Sequence, residues 1–388
     1  MMWTADGVRI LITTSATIAM ITLVCTLWAL CDLHPRSSAP QTHYATRPIN
    51  TSRPLQADRV FATFLTSLSD DANRETDDNY FTAARILTYQ MLHAPETRLR
   101  NPVPFVVFVA SSVSVYKRER LERDGATVIE LAGLTADWLE PGDSRWSDVM
   151  TKVRMWEMDQ FGLIAFIDAD TVLLQPVDGL FTDAAVRECK TGEQYPPVAA
   201  AAAAARTDVR GRTSRAAEAA AAAAAPPTYT TAAGVVLPLA APQPASYVMA
   251  AITQISQDHD FPPVRRGKDV PNPTYFNAGL MVFRPSRAMF AYYRSFLDIP
   301  GIFDPALPEQ GLLNYAHQHD GDMMWTKLDP VWNTQYPRVN DIDHGVRMLH
   351  QKWWHKPLEE GMAELLRAWR WKMEGFYEGL DRRAQDRA

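Results

Sequence analysis

The chain has 388 residues, of which 47% are hydrophobic and 10% aromatic, and its formal net charge is −6. This composition suffices for one large α/β domain or two smaller ones, and it excludes a chain that is disordered throughout. The acidic balance lacks the basic stripe that a nucleic-acid partner requires, so no nucleic acid is expected to bind. Two of the three cysteines lie in or beside an apolar N-terminal segment, which leaves no disulfide framework and no cysteine-rich zinc site.

An uncharged apolar stretch near the N-terminus covers residues 10–31. At about 1.5 Å per residue it matches a bilayer core of roughly 30 Å, and it exceeds the about 7–15 apolar residues of a typical signal peptide. We therefore predict that residues 1–31 form a cytosolic tip and a transmembrane helix, with a cleaved signal peptide as the alternative. Residues 32–57, which carry the glycosylation triplet at Asn50, are predicted to be a luminal stem.

The pattern of apolar residues after the stem predicts alternating strands and helices. Strands are expected at 60–65, 104–110, 126–131 and 163–167, and helices at 80–92, 116–124 and 151–160. Such alternation is typical of an α/β fold, with a mostly parallel central sheet and helices on both faces. Ligands of such folds bind at the carboxyl ends of the strands.

Residues 191–270 change to runs of alanine interspersed with prolines. Few side chains there could fill a core, so we expect a surface insertion. Regular structure is predicted to resume with a strand at 275–283, which Asn277-Ala278-Gly279 interrupts, and with a helix at 286–297. Residues 358–388 are predicted to hold an amphipathic helix packed on the domain.

Asp168-Ala169-Asp170 directly follows the wholly apolar strand at 163–167, so its two carboxylates leave the sheet where a ligand is expected. Mg²⁺ and Mn²⁺ take oxygen ligands from carboxylates and substrate phosphates, and they offset the charge of a diphosphate leaving group. A solvated pair of aspartates at a turn is the commoner interpretation of an isolated Asp-x-Asp. The position after a buried strand favours the metal site.

Five stretches occur in the order found in glycogenin and the wider family 8 of retaining glycosyltransferases, which the chain resembles over residues 58–357. These stretches are Thr151-Lys152 with Trp156; Phe166-Ile167-Asp168-Ala169-Asp170-Thr171; Phe276-Asn277-Ala278-Gly279 with Phe283 and Pro285-Ser286; Glu309-Gln310-Gly311-Leu312-Leu313-Asn314; and His350 with Lys356-Pro357. The resemblance implies a GT-A type nucleotide-sugar-binding fold. It further implies a metal-dependent retaining enzyme that moves a hexose, glucose or N-acetylglucosamine, from a UDP-sugar to a glycan or glycoprotein acceptor. The alternative is an inactive relative that binds a glycan or nucleotide sugar.

The same resemblance implies roles for individual residues. Asp168, Asp170 and His350 are the implied metal ligands, a set that suits Mn²⁺ better than Mg²⁺. The implied donor-binding residues are Tyr80, Lys152, Asp168, Ala169, Asp170 and Lys356. The implied catalytic residues around the transferred sugar are Lys152, Asn277, Glu309 and Gln310. A core tyrosine, surface lysines and a hydrogen-bonded histidine remain the alternatives for Tyr80, for Lys152 and Lys356, and for His350.

Two departures from glycogenin bear on the substrate. Glu309 stands where glycogenin has an aspartate, which leaves the identity of the sugar open. The predicted anchor resembles that of fungal relatives that act on secretory-pathway glycans, so a Golgi or other secretory-pathway membrane with a luminal catalytic domain is implied. The family is described as using front-face attack assisted by the leaving diphosphate, and no protein nucleophile is assigned.

Overall fold

The computed structural model describes residues 55–66, 78–139, 148–192, 228–230, 236–238, 241–355, 359 and 361–386. The predicted anchor, nearly all of the predicted stem, most of the alanine-rich stretch and Lys356 lie outside these residues. Within them, none of the helices combines the length and the apolar character that crossing a bilayer requires. The membrane anchor therefore stays a prediction.

Seven strands form the central sheet: β1 Ala57–Leu65, β2 Phe105–Ala110, β3 Thr127–Leu131, β4 Phe161–Ile167, β10 Met249–Thr253, β11 Phe276–Phe283 and β12 Thr326–Lys327. Their order across the sheet is β12-β10-β11-β4-β1-β2-β3. Strands β3, β2, β1 and β4 pair in parallel, whereas β11 is antiparallel to both of its neighbours, β4 and β10. The predicted α/β fold with a mostly parallel central sheet is confirmed.

Helices cover both faces of this sheet, as predicted. The α-helices are α1 Asn79–Leu92, α2 Val115–Arg123, α3 Arg287–Ser295, α4 Pro308–Ala316, α5 Val339–Asp343 and α6 Met362–Gln385. Successive side chains of a strand point to opposite faces, so Val60 of β1 joins one core and Phe61 the other. The first core contains Trp156 and residues of α3 and α4, and the second contains Phe81 and other residues of α1.

The segment predicted as a helix at 151–160 is a 3₁₀ segment, Val149–Glu157. Three shorter 3₁₀ segments are Asp178–Thr182, Phe296–Asp298 and Pro330–Trp332. Strand β11 runs through Asn277-Ala278-Gly279 as one element, so the predicted interruption does not end the strand. It does interrupt the pairing with β10, because Ala251 pairs with Met281 and Ile252 with Asn277, which leaves residues 278–280 of β11 without a partner in β10.

Strand β10 corrects the expected extent of the insertion. Residues 191–270 were predicted to lie outside the core, yet Met249, Ala250 and Ala251 are buried in a strand between β11 and β12. Alanine is depleted in strands and fills little volume, so the composition of the segment concealed a central strand. The short strand β9, Ser246–Tyr247, precedes it and pairs with β6, Cys189–Lys190.

A second, three-stranded sheet brings distant parts of the chain to the carboxyl end of β4. Its order is β13-β14-β5, with bounds β5 Thr171–Leu173, β13 Thr334–Gln335 and β14 Met348–His350. A further pair is β7 Thr228–Thr230 with β8 Val236–Pro238. All of these elements belong to one compact unit that begins at Leu55.

Candidate functional site

A cleft of about 520 Å³ lies at the carboxyl ends of β1, β4 and β10, beside the amino end of the antiparallel strand β11. It is the place where an α/β sheet is expected to bind a ligand. The cleft brings together every predicted site residue that the structure describes: Tyr80, Lys152, Asp168, Ala169, Asp170, Asn277, Glu309, Gln310 and His350. Lys356 lies outside the described residues.

Asp168, Asp170 and His350 each offer one ligand atom, and these atoms lie within 4.8 Å of one another. His350 Nε2 is 3.1 Å from Asp170 Oδ1 and 3.8 Å from Asp168 Oδ2. Backbone pairing holds the arrangement, because β14 sets His350 opposite Thr171 of β5 and the Gln351 N–H donates to the Asp170 carbonyl at 3.1 Å. The three side chains are thus positioned by the small sheet and by the end of β4.

This donor set fits a divalent cation. Two carboxylates and an imidazole are ligands that Mn²⁺ accepts, and His350 Nε2 faces both carboxylates. The other ring nitrogen, Nδ1, is buried without a hydrogen-bond partner among the described residues. His350 Nε2, which lies 3.1 Å from Asp170 Oδ1, must be unprotonated to coordinate a cation.

Lys152 connects the two sides of the cleft. Its ammonium donates to Asp168 Oδ1 at 2.8 Å and to Glu309 Oε1 at 3.2 Å. Burial opposes the charged form of Lys152, but the carboxylates of Asp168 and Glu309 outweigh it and raise the pKa of the lysine above its ordinary value. Lys152 therefore stays charged and fixes both carboxylates. It lies in the 3₁₀ segment Val149–Glu157, whereas Asp168 follows β4 and Glu309 lies in α4.

Lys352 is a cleft residue that the sequence analysis missed. Its Nζ lies 3.1 Å from Asp170 Oδ2 and 5.9 Å from the ring centre of Tyr80. Burial of Asp170 opposes its ionisation, but His350 and Lys352 outweigh that effect and hold the pKa of the carboxyl below its usual range. No local pattern indicated Lys352, because β14 ends at His350 and Lys352 lies beyond the strand.

Tyr80 lies in the first turn of α1 and lines the cleft. The helix starts at the N-cap Asp78, whose carboxylate accepts from the N–H groups of Tyr80 and Phe81 at 3.1 and 3.0 Å. The edge of Trp354 contacts the Tyr80 ring at a centroid distance of 4.9 Å. Burial, together with the nearby Asp170 carboxylate, raises the pKa of the Tyr80 hydroxyl despite the opposing effect of Lys352. Tyr80 is thus partly buried: it lines the cleft, so it is not a fully buried core residue, and its ring is also in contact with Trp354.

Asn277 and Gln310 use their amides within the protein. Asn277 donates to Gln254 Oε1 at 2.9 Å and accepts from the Gly279 N–H at 2.9 Å. Gln310 accepts from the Ala278 N–H at 2.9 Å and donates to the Tyr275 hydroxyl at 3.3 Å. Both amides therefore hold the first residues of β11 in place, in addition to facing the cleft.

Comparison with known proteins gives distant sequence relatives. No protein-family model matches the chain. An uncharacterized protein of Schizosaccharomyces pombe is 26% identical over 302 residues, which are 76% of this chain and 74% of the relative. A second uncharacterized protein of the same yeast is 28% identical over 285 residues, which are 71% of this chain and 68% of the relative. These relatives carry no activity over to the chain.

Solved glycosyltransferase structures are similar in part. The galactosyltransferase LgtC, in complex with donor and acceptor sugar analogs, gives a TM-score of 0.42 at 10% identity, over 81% of this chain and 96% of that one. Mouse xyloside xylosyltransferase 1 gives 0.39 at 12% identity, over 76% and 97%. GlyE of Streptococcus pneumoniae gives 0.40 at 10% identity, over 80% and 60%. Similarity at this level does not establish an activity.

Proposed function

We propose that this chain is a glycosyltransferase that uses a divalent cation, held by Asp168, Asp170 and His350, to take a sugar from a nucleotide-diphosphate donor. The observation that carries the proposal is the meeting of these three ligands with Lys152 and Lys352 in one cleft at the carboxyl end of β4. Cation ligands and positively charged side chains in one cleft are both suited to a diphosphate.

The charges of the cleft suit a diphosphate leaving group. When bound, Mn²⁺ or Mg²⁺ would offset the negative charge that develops on the leaving diphosphate. The Lys352 ammonium, at 3.1 Å from Asp170, is close enough to the carboxylate pair to contact a phosphate oxygen of the same donor. Lys356, which the resemblance assigns to the phosphates, follows Lys352 in the chain and would add a second cation.

The other predicted residues would position the donor. Lys152 holds Asp168 and Glu309 in fixed orientations through its two ion pairs. Asn277 and Gln310 stabilise the start of β11, which forms the floor of the cleft. No residue is assigned as a nucleophile, and the proposed reaction is a retaining transfer in which the leaving diphosphate assists.

We further propose, from the resemblance to glycogenin-like enzymes, that the donor is a UDP-sugar carrying glucose or N-acetylglucosamine. A glycan or glycoprotein is the proposed acceptor, and the preferred cation is Mn²⁺. The uncharged segment 10–31 supports an anchored protein in the Golgi or another secretory membrane, with its catalytic domain in the lumen.

The test is release of UDP by the purified full-length chain from UDP-glucose, UDP-N-acetylglucosamine and UDP-galactose, with Mn²⁺ or with EDTA. We expect Mn²⁺-dependent release from one of the first two donors. UDP binding without any turnover, with or without glycan acceptors, would favour the alternative of an inactive relative. Equal turnover in EDTA would contradict the metal-dependent mechanism.

A further inference from the structure

Tyr336 lines the same cleft as Tyr80. The preceding residue, Gln335, is tied to the end of β10: its Oε1 accepts from the Ile255 N–H at 2.9 Å and its Nε2 donates to the Thr253 carbonyl at 3.3 Å. Strands β4 and β11 separate β10 from β1, the strand on which α1 packs. At about 4.8 Å per strand, β10 and β1, which mark the Tyr336 and Tyr80 sides of the cleft, are roughly 14 Å apart.

Strand β4, which is followed by the candidate metal ligands Asp168 and Asp170, lies between β10 and β1. Gln335 of β13 is paired in register with the metal ligand His350 of β14, and Tyr336 is the next residue along the chain. A donor with its nucleoside toward Tyr80 and its diphosphate at Asp168 and Asp170 would direct its sugar toward Tyr336. The Tyr336 end of the cleft is therefore the side from which an acceptor approaches.

The backbone of Tyr336 is strained. Its φ of 53° is the only positive value of a non-glycine residue in the described part of the chain. It also precedes Pro337, and a residue before proline is normally restricted to extended conformations with negative φ. Residues held in such sparsely populated conformations cluster at ligand sites, where the surrounding structure imposes them.

The Tyr336 side chain has no contact within the described residues that accounts for this strain. It is 39% exposed and makes neither a side-chain hydrogen bond nor a ring contact to another described residue. Leu307, which is 40% exposed, lines the same cleft, as do the amides of Gln257 and Gln351. A partly exposed tyrosine in a cleft that glutamine residues also line suits a pyranose ring, whose C–H face can pack on the aromatic ring while its hydroxyls bond to amides.

We propose that Tyr336 is a stacking platform for the sugar ring of the acceptor, an inference that rests on the proposed transfer reaction. Leu307 extends the apolar surface, and Gln257 and Gln351 are the nearby groups that can bond to acceptor hydroxyls. The strained backbone presents the ring to the cleft. The ligand class is a glycoside or the terminal sugar of a glycan.

The test compares Tyr336→Gly and Tyr336→Phe with the wild type and with Trp371→Ala, which removes an aromatic side chain that is 64% exposed on α6. The probes are the methyl and p-nitrophenyl glycosides of glucose, galactose and mannose in both anomeric forms. Initial rates give KM for each glycoside, KM for the UDP-sugar and the rate of donor hydrolysis without acceptor. Thermal melting reports folding.

We expect Tyr336→Gly to melt no lower than the wild type, because glycine adopts a positive φ without strain. Its KM for the glycoside should rise at least about tenfold, while donor KM and donor hydrolysis stay unchanged. Tyr336→Phe, which keeps the ring, and Trp371→Ala should both resemble the wild type.

An unchanged glycoside KM in Tyr336→Gly, with normal donor hydrolysis, would overturn the acceptor platform alone. The same conclusion follows if donor is hydrolysed but no glycoside increases UDP release by the wild type. If the wild type does not turn over any UDP-sugar, the proposed function fails and this inference fails with it.

Discussion

The imidazole of His350 occupies space that a side chain at position 279 would fill. A Cβ built on Gly279 would stand 2.3 Å from His350 Cε1 and 2.7 Å from Nδ1. Gly279 also accepts the Asp168 N–H through its carbonyl, at 2.9 Å. The glycine of β11 therefore helps to set the end of β4 and lets the third metal ligand approach the two carboxylates.

Gly279→Ala should accordingly displace His350. Overpacking of this kind costs about 1–3 kcal/mol of folding stability, and we expect Mn²⁺ affinity to fall at least about tenfold because one ligand is lost.

Gly375→Ala is the matched control, since its Cβ would meet nothing within 4 Å in α6. That control should stabilise the protein by up to about 1 kcal/mol. Urea unfolding and Mn²⁺ titration by electron paramagnetic resonance measure both effects. Wild-type Mn²⁺ affinity in Gly279→Ala would show that His350 is not a ligand.

Lys352→Met should weaken binding of the donor diphosphate more than binding of the metal alone. A hydrogen bond to a charged group is worth about 1.5–3 kcal/mol, so UDP affinity in the presence of Mn²⁺ should fall by roughly ten- to a hundredfold. Mn²⁺ alone should bind at least as tightly as in the wild type, because the ammonium no longer competes for Asp170. Lys372→Met, on α6 and paired with Glu96, serves as the control. Calorimetric UDP titrations that give equal affinities for the wild type and Lys352→Met would remove Lys352 from the site.

The parts of the fold that the sequence predicted are those with strong local patterns. The apolar runs that became β1, β2 and β4, and the helix α1, lie within a few residues of their expected bounds. Strand β10 was missed because its alanines resemble the neighbouring alanine runs, and only its place between β11 and β12 makes it a core strand. Composition describes a segment, whereas burial depends on what packs against it.

That correction predicts different outcomes for two replacements by a Gly/Ser linker. Replacing residues 191–270 removes β10 from between β11 and β12, so the protein should not fold cooperatively. Replacing only residues 199–225, whose composition predicts little core volume, should preserve a cooperative melt and UDP-sugar turnover. Differential scanning calorimetry of both variants measures this. A cooperative melt after the larger replacement would mean that β10 is dispensable.

His317 should make stability depend on pH. It ends α4, its Nδ1 lies 2.6 Å from the Met323 carbonyl, and its Nε2 bonds to the Tyr293 hydroxyl, so the buried ring is neutral. Burial lowers the pKa of His317 to about 4. Between pH 6.5 and 4 the unfolded chain binds a proton that the folded protein does not, so stability should fall as pH falls, by about 3 kcal/mol in total, and then level off.

The check is urea unfolding from pH 7 to pH 4 for the wild type and His317→Gln, with the ring titration of His317 followed by NMR. The wild type should lose more stability over this range than the variant does. A ring that titrates near pH 6.5 in the folded protein would contradict the assignment.

The candidate site was partly predictable. Asp168 and Asp170 follow an apolar strand, which is a local signal, but the place of His350 depends on the pairing of β14 with β5, which no local pattern shows. Only the resemblance to glycogenin suggested it. Lys352 was not predicted, because the resemblance assigned the phosphate-binding role to Lys356 alone.

The central claim is that Asp168, Asp170 and His350 hold the cation on which donor turnover depends. Asp170→Asn keeps the shape of the side chain and removes its charge. Asp159→Asn does the same at an exposed carboxylate that pairs with Arg287. The decisive measurement is Mn²⁺-dependent UDP-sugar turnover by the wild type and these two variants, at matched melting temperatures. We predict that Asp170→Asn lowers turnover by orders of magnitude and weakens its Mn²⁺ dependence, while Asp159→Asn matches the wild type. Wild-type turnover with wild-type Mn²⁺ dependence in Asp170→Asn would contradict the site and the proposed function.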